Sequence, residues 1–133
     1  MRVLVDSCVW SLVLRRGVEA SGSVRSEMER LIREGSVELI GPIRQEVLSG
    51  VRSEVQFAAL KEALALFPEI GIQAGDYEEA ARLYNLCRSR GVQGSGTDLL
   101  ICAVAIREEV PVFTVDRDFI SYASVFPVAL HQP

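Results

Sequence analysis

The hydrophobic pattern of this chain alternates between short apolar runs and longer segments with helical spacing. The run "RVLVD" at residues 2–6 is apolar and of strand length, as are "VELI" at 37–40 and "PVFTVD" at 111–116. A fourth run, "PVAL" at 127–130, is expected to form the last strand. These runs lack the alternation of polar and apolar residues that is typical of a strand with one solvent-exposed face. We therefore expect strands that are covered on both faces.

The segments between these runs carry apolar residues every three or four positions, which predicts helices. Pro42 is expected to open one helix, and Ser7, Thr97 and the pair Gly75 and Asp76 are expected to cap others. The predicted helices cover residues 9–16, 21–35, 42–50, 53–66, 77–91 and the apolar run that follows Thr97.

Strands that alternate with helices are typical of an α/β fold, in which helices cover both faces of a parallel sheet. The chain has 133 residues and carries no linker, low-complexity tract or internal repeat. We therefore expect a single domain over residues 1–133. In such folds ligands bind beyond the carboxyl ends of the strands, and a functional site is expected at that edge.

The three cysteines, Cys8, Cys87 and Cys102, form no paired motif and are odd in number. This pattern argues against a disulfide framework and against a zinc site. No apolar run reaches the ~18 residues of a membrane-spanning helix, and the start of the chain has no small-residue cleavage site. We expect a cytoplasmic protein without a membrane partner.

Acidic side chains fall at the predicted carboxyl edge of the sheet. Asp6 ends the first strand, Asp116 follows a late strand, and Asp98 opens a helix that begins at the same edge. Glu46 lies one turn into the helix that follows "VELI". Each residue alone has an ordinary explanation, because aspartates cap helices and turns and a helical glutamate is usually solvated. Four of them at one edge instead indicate a common site.

Clustered carboxylates repel one another, so a cation is needed to keep them charged together. This cluster has neither histidine nor cysteine at ligand spacing, and oxygen ligands alone favour Mg²⁺ or Mn²⁺. An ion of this kind activates water and neutralises the charge that develops on a phosphodiester. The acids therefore indicate metal-assisted phosphodiester hydrolysis.

The net charge of −4 argues against a polyanionic partner, because nonspecific nucleic-acid binding is mainly neutralisation of phosphate. However, all but one of the 14 basic residues are arginine, whose planar guanidinium suits phosphate. A bound metal ion would also reduce the local negative charge. The arginines near the predicted site that are candidates for phosphate contact are Arg15, Arg16, Arg44 and Arg117.

The segments "LVDSCVW", "GPIRQEVLSG", "GTDLLICAVA" and "VFTVDRDF", in this order, resemble the PIN-domain ribonucleases, most closely the VapC toxins of toxin–antitoxin pairs. The resemblance spans nearly the whole chain and implies a PIN-like three-layer α/β/α sandwich with a central, mainly parallel sheet. It implies an endoribonuclease with Asp6, Glu46, Asp98 and Asp116 as catalytic residues. Asp6, Asp98 and Asp116 would bind the Mg²⁺ or Mn²⁺ ion. The implied partners are RNA, a cognate VapB-like antitoxin that blocks the site, and a second copy of the chain in a homodimer.

The same resemblance assigns supporting roles to four further residues. Ser7, Thr97 and Thr114 would support the acids through their hydroxyls, and Asp118 would be an auxiliary acid. Cys8 departs from the family pattern, which often has a small polar residue at this position. Because Cys8 follows the strand that ends in a ligand, we expect a buried small residue and not a thiolate ligand.

Other functions that place acids at strand ends are less well supported. A receiver domain would need a lysine after a late strand, but the only lysine, Lys61, lies in a mid-chain helix. A dehalogenase-type phosphotransferase would need an aspartate at the position of Cys8. Two alternatives on the same fold are a stand-alone RNA-processing nuclease and a catalytically silent binding module. The presence of all four acids disfavours the silent module. A neighbouring gene for a DNA-binding antitoxin would distinguish a toxin from a stand-alone nuclease.

Several conspicuous residues are expected to pack in the structure and not to bind a ligand. Trp10 is expected in the core or at an interface, and Tyr77 and Tyr84 are expected to be packing residues. Val55 is placed on the core side of its helix by the helical spacing. His131 is the only histidine and is the third residue from the end, so it is not expected to act as a general base.

Overall fold

A small parallel sheet forms the middle layer of the fold. The computed structural model describes residues 1–14 and 22–133. Within them, the strands β1 (Val3–Val5), β2 (Val37–Glu38) and β3 (Val112–Phe113) are ordered β2-β1-β3 and run parallel. All of β1 is fully buried, as expected for a central strand with both faces covered.

Single parallel bridges extend the sheet at both edges. Leu39 pairs with Glu69 beside β2, and Leu130 pairs with Val112 beside β3. The predicted strands at 37–40 and 111–116 are therefore present but shorter than expected, and residues 127–130 contribute one bridge. The strand predicted at 37–40 stops early because Ile40 is already the N-terminal cap residue of the next helix.

Helices on both faces complete a three-layer α/β/α sandwich, which confirms the predicted fold class. Within the described residues they are α1 (Ser7–Leu14), α2 (Gly22–Arg33), α3 (Gly41–Leu48), α4 (Glu54–Leu64), α5 (Ala74–Ser89), α6 (Gly96–Glu108) and α7 (Asp118–Ala123). Among them is no helix with the length and hydrophobicity to span a bilayer.

The helix α6 is buried along most of its length. Residues 99–105 are all buried, which explains why this helical run is apolar on every face. Its cap is Ser95, whose hydroxyl accepts a hydrogen bond from the backbone N–H of Asp98 at 3.1 Å. The prediction that Thr97 is the cap was wrong, because the helix begins at Gly96 and Thr97 already lies in its first turn.

Two helices are more exposed than their hydrophobic spacing suggests. Val55 of α4 is 81% exposed and Tyr77 of α5 is 58% exposed, so the prediction that they pack in the core was wrong. Among the residues of α4, Leu64 alone is buried, since little of the described chain covers the rest of this helix. Trp10, in contrast, is buried and packs edge-on against Phe67, as expected.

The C-terminal segment is held by a buried acidic residue of α2. His131 Nε2 is hydrogen-bonded to Glu27 Oε2, and the imidazole ring packs edge-on against Phe113. Two further hydrogen bonds from the Arg30 guanidinium hold the pKa of Glu27 at about 2. His131 is thus engaged in a structural contact with Glu27 and Phe113.

The turn before α6 approaches the core closely at Gly94. A Cβ atom at this position would lie 2.4 Å from Leu99 Cδ2 and 3.5 Å from Tyr122 Cε1. Both of these side chains are fully buried, and close packing leaves them little room to move away. Because glycine has no side chain, Gly94 lets the turn pack against the helix that carries Asp98.

Gly94→Ala is expected to destabilise the fold by about 1–3 kcal/mol, the usual effect of overfilling a packed core. Gly96→Ala is the matched control, because a Cβ at Gly96 meets no atom within 4 Å and alanine favours the helix. Urea unfolding followed by circular dichroism measures both variants. Equal stability of the two would contradict the close approach at Gly94.

Candidate active site

Three carboxylates meet where β3 ends and α6 begins. Asp98, Asp116 and Asp118 each offer one oxygen, and these oxygens all lie within 4.8 Å of one another. Asp98 and Asp116 are half-buried, whereas Asp118 is exposed. This group, the acid cluster, lies at the carboxyl edge of the sheet, where folds of this kind bind ligands.

Asp98 is held from two sides. Its backbone N–H donates to Ser95 in the turn before α6, and its Oδ2 accepts a hydrogen bond from the Tyr122 hydroxyl at 2.9 Å. Tyr122 lies on α7 and is fully buried, so packing fixes the position of its hydroxyl. The contact orients the carboxylate while it occupies only one of the two oxygens.

Thr114 connects the first strand to the late acids. Its hydroxyl donates to Asp6 Oδ2 at 2.8 Å and accepts a hydrogen bond from the backbone N–H of Asp116 at 3.0 Å. Asp116 Oδ1 in turn accepts the backbone N–H of Asp118 at 2.9 Å. The predicted supporting role of Thr114 therefore has a geometric basis, because one hydroxyl fixes two of the acids relative to each other.

Asp6 is buried beside the acid cluster but is not one of its members. Its Oδ1 accepts the backbone N–H of Ser7 at 2.8 Å, and its Oδ2 is shared by Thr114 and Cys8. We expected Asp6, Asp98 and Asp116 to form the metal-binding set. The structure brings Asp118 into the close group and places Asp6 next to it.

Glu46 lies at the solvent side of this arrangement. It is exposed on α3, and the Ser7 hydroxyl donates to its Oε2 at 2.9 Å. Ser7 also donates its backbone N–H to Asp6, so it joins the two acids. Glu46 is therefore connected to the site, but it is not part of the acid cluster, and its catalytic role stays a prediction.

The surroundings of Asp98 oppose its negative charge. Burial raises the pKa of Asp98 most, and the charges of Asp6 and Asp116 raise it further, while hydrogen bonds from Tyr122 and Ser95 act in the opposite direction. In the described part of the chain no arginine, lysine or histidine forms an ion pair with these acids. Within the residues that the structure describes, these carboxylates thus have no compensating ion pair, a condition that favours cation binding.

Cys8 packs between Asp6 and Thr114 as a neutral thiol. Its Sγ lies 3.4 Å from Asp6 Oδ2 and 3.3 Å from the Thr114 hydroxyl oxygen. Burial, followed by the charge of Asp6, raises the pKa of the Cys8 thiol. The residue is half-buried and not fully buried as expected, and the expectation that it is not a thiolate ligand stays a prediction.

The arginines expected near the site differ in their availability. Arg44 binds Glu69 at 2.7 Å, so its guanidinium is already engaged. Arg117 is exposed at the start of α7, next to Asp116 in the chain. Arg15 and Arg16 lie outside the described residues.

Two residues that hold Asp98 were missed by sequence reasoning. Ser95 stands three positions before Asp98, and this spacing is a known capping signal that was available in the sequence. Tyr122 carried no local signal, because its contact with Asp98 depends on how α7 packs against α6. The Thr97 hydroxyl, which was expected to support the acids, makes no hydrogen bond within the described part of the chain.

The donor set fits a hard divalent cation. All of the close ligand atoms are carboxylate oxygens, which Mg²⁺ and Mn²⁺ prefer over softer ligands. The Tyr122 hydroxyl holds the carboxylate of Asp98, and the Thr114 hydroxyl holds the backbone N–H of Asp116. The arrangement can therefore bind a divalent ion without a large rearrangement.

A comparison with family models identifies the class to which this fold and site belong. The model of the PIN domain matches residues 3–125, a range that includes the acids from Asp6 to Asp118. The chain belongs to the PIN domain family. A comparison with curated proteins gives no match.

Solved structures with the same fold include several from toxin–antitoxin systems. VapBC2 from Rickettsia felis, bound to a DNA fragment from its promoter, is 15% identical with a TM-score of 0.77, covering 98% of both chains. A toxin–antitoxin complex from Klebsiella pneumoniae is 17% identical with a TM-score of 0.69, covering 97% of this chain and 96% of that chain. VapC20 from Mycobacterium tuberculosis, a Sarcin-Ricin loop cleaving toxin, is 20% identical with a TM-score of 0.68, covering 95% of this chain and 98% of that chain. At these identities the likeness establishes the fold.

Tyr122→Phe is expected to weaken the binding of Mn²⁺ roughly 10- to 100-fold, because it removes a hydrogen bond that orients a ligand carboxylate. The aromatic ring is kept, so the variant should fold. Calorimetric titration with Mn²⁺ measures the affinity, and Tyr77→Phe, which removes an exposed hydroxyl elsewhere, is the control. An unchanged affinity of Tyr122→Phe would show that this contact does not orient Asp98.

Asp98→Asn is expected to stabilise the metal-free fold at neutral pH. Folding raises the pKa of Asp98, so ionised Asp98 destabilises the folded state at every pH above its folded pKa. This penalty declines as the pH falls through that pKa and disappears below the ordinary value of 3.8. The stability gain of Asp98→Asn in EDTA, measured by urea unfolding, should therefore shrink on acidification. A variant less stable than the parent at pH 7 would contradict this reasoning.

Proposed function

We propose that this protein is a Mg²⁺- or Mn²⁺-dependent endoribonuclease and the toxin of a toxin–antitoxin pair. The observation that carries the proposal is the acid cluster, with Asp6 beside it and no basic side chain among the described residues to compensate it. Membership of the PIN domain family and the likeness to VapC20 support RNA as the substrate class.

The roles of the residues follow from their positions. Asp98 and Asp116 would hold the ion, with Asp6 and Asp118 as the nearest further acids. A bound divalent ion lowers the pKa of water and neutralises charge on the phosphodiester. Glu46 lies at the solvent side, where it would accept a proton through the carboxylate oxygen that Ser7 does not contact.

The proposal includes a cognate antitoxin and a homodimer as partners. The likeness to VapBC2 and to the Klebsiella pneumoniae toxin–antitoxin complex supports the antitoxin. A basic segment of such a partner would find the acid cluster uncompensated and would block it by charge neutralisation. Co-purification with the product of a neighbouring gene distinguishes this toxin from a stand-alone nuclease.

Purified protein is expected to cleave RNA in Mg²⁺ or Mn²⁺ and to lose this activity in EDTA. Asp98→Asn should reduce cleavage at least about a hundredfold, because it removes a charge at the metal-binding position while it keeps the shape of the side chain. Glu62→Gln, which changes an exposed acid of α4, is the charge-matched control. Gel analysis of end-labelled RNA measures both. Full cleavage by Asp98→Asn, or by the parent in EDTA, would refute the proposal.

A further inference from the structure

Two adjoining depressions run along α5, and one of them reaches the first turn of α6. The larger, of about 520 Å³, is lined by Tyr77 and Tyr84 and by Gly96 and Thr97 at the start of α6. The second, of about 370 Å³, shares Tyr84 and continues along the turn at residues 91–94. Together they form the tyrosine groove. Because Thr97 directly precedes Asp98, one end of this groove lies next to a candidate metal ligand.

The charge of the tyrosine groove differs from that of the whole chain. Among the described residues that line it none is acidic, although the chain has 18 acidic residues and a net charge of −4. Arg88 adds a positive charge, and Asn85 and Gln93 add amide donors. The groove thus offers hydrogen-bond donors to a polyanion beside acids that would otherwise repel it.

The two tyrosines add aromatic surface to this groove. Tyr77 is 58% exposed, so the core does not require its ring. Tyr84 is half-buried against the core and lines both depressions. Aromatic rings beside cationic and amide side chains are typical of single-stranded nucleic-acid sites, because every unpaired base can stack on a ring. The volumes of the depressions also lie within the range of ligand sites.

We propose that the tyrosine groove binds an unpaired segment of RNA next to the point of cleavage. Tyr77 and Tyr84 stack on bases, and Arg88 contacts the phosphate backbone. This inference rests on the proposed endoribonuclease function and adds a substrate-binding surface to it. The competing occupant is a second copy of this chain.

Base stacking is tested by measuring RNA binding in Mg²⁺. The protein carries Asp98→Asn in all variants, as the background, so that the RNA is not cut during the measurement. The probe is a fluorescein-labelled oligouridylate, and binding is followed by fluorescence anisotropy. Tyr77→Ala is expected to raise Kd at least about fivefold, which corresponds to the loss of stacking on one base. Tyr77→Phe keeps the ring and should bind like the background protein.

The test of phosphate contact is the salt dependence of the same binding. Arg88→Gln should weaken binding and reduce the slope of log Kd against log salt concentration by about one. Arg82→Gln is the matched control, because Arg82 lies on the same helix, has a side chain 79% exposed and does not line the groove. It should leave the slope unchanged.

The experiments distinguish an incorrect assignment of the groove from an incorrect proposed function. If Tyr77→Ala and Arg88→Gln bind RNA like the background protein while the parent cleaves RNA, the groove is not a binding surface and the nuclease function stands. If the parent neither cleaves nor binds RNA, the proposed function itself falls. Analytical sedimentation tests whether a second copy of the chain occupies the groove instead. If Tyr77→Ala dissociates a dimer and leaves the RNA affinity unchanged, the groove is a dimer interface.

Discussion

Parallel pairing between β1 and β3 is the contact on which the candidate site depends. The register aligns Val5 with Phe113, so the next residues of both strands leave the sheet side by side. Thr114 then reaches Asp6 across a separation of 108 residues in the chain. Because a slip of one residue would reverse the faces of a strand, this hydrogen bond exists only in the native register. The site therefore requires that β1 and β3 have paired in this register.

The buried helix α6 explains why an aspartate directly precedes an apolar run. Residues 99–105 are enclosed by the core, while the first turn of the helix reaches the edge of the sheet. Asp98 lies at that end, capped by Ser95 and oriented by Tyr122. The apolar run thus serves as a rigid support that carries one carboxylate to the site. A helix cap alone would need neither the contact from α7 nor the neighbouring acids.

The positions of the acids along the elements could be predicted from the sequence, because strand ends and helix starts carry local signals. Asp6, Asp98 and Asp116 do lie at the carboxyl edge, and the α/β class follows from the alternation of runs. The closeness of Asp118 and the contact of Tyr122 could not be predicted, since both depend on a turn and a helix that pack only in the folded chain. Helical spacing also misplaced Val55, because it identifies an apolar face but not whether anything covers that face.

Under the proposed function, the distribution of ion pairs bears on the order in which ion and RNA would bind. Asp76 is matched by Arg107 and Glu38 by Arg2, whereas the acids of the site are held by hydroxyl groups. Among the described residues, the acids of the site thus lack the cationic partners that Asp76 and Glu38 have. Under the proposed function, a phosphate backbone would be repelled there until a divalent ion occupied the cluster, so ion and RNA would strengthen each other's binding by the same factor. Depletion of the ion would then weaken RNA binding as well as stop the chemistry.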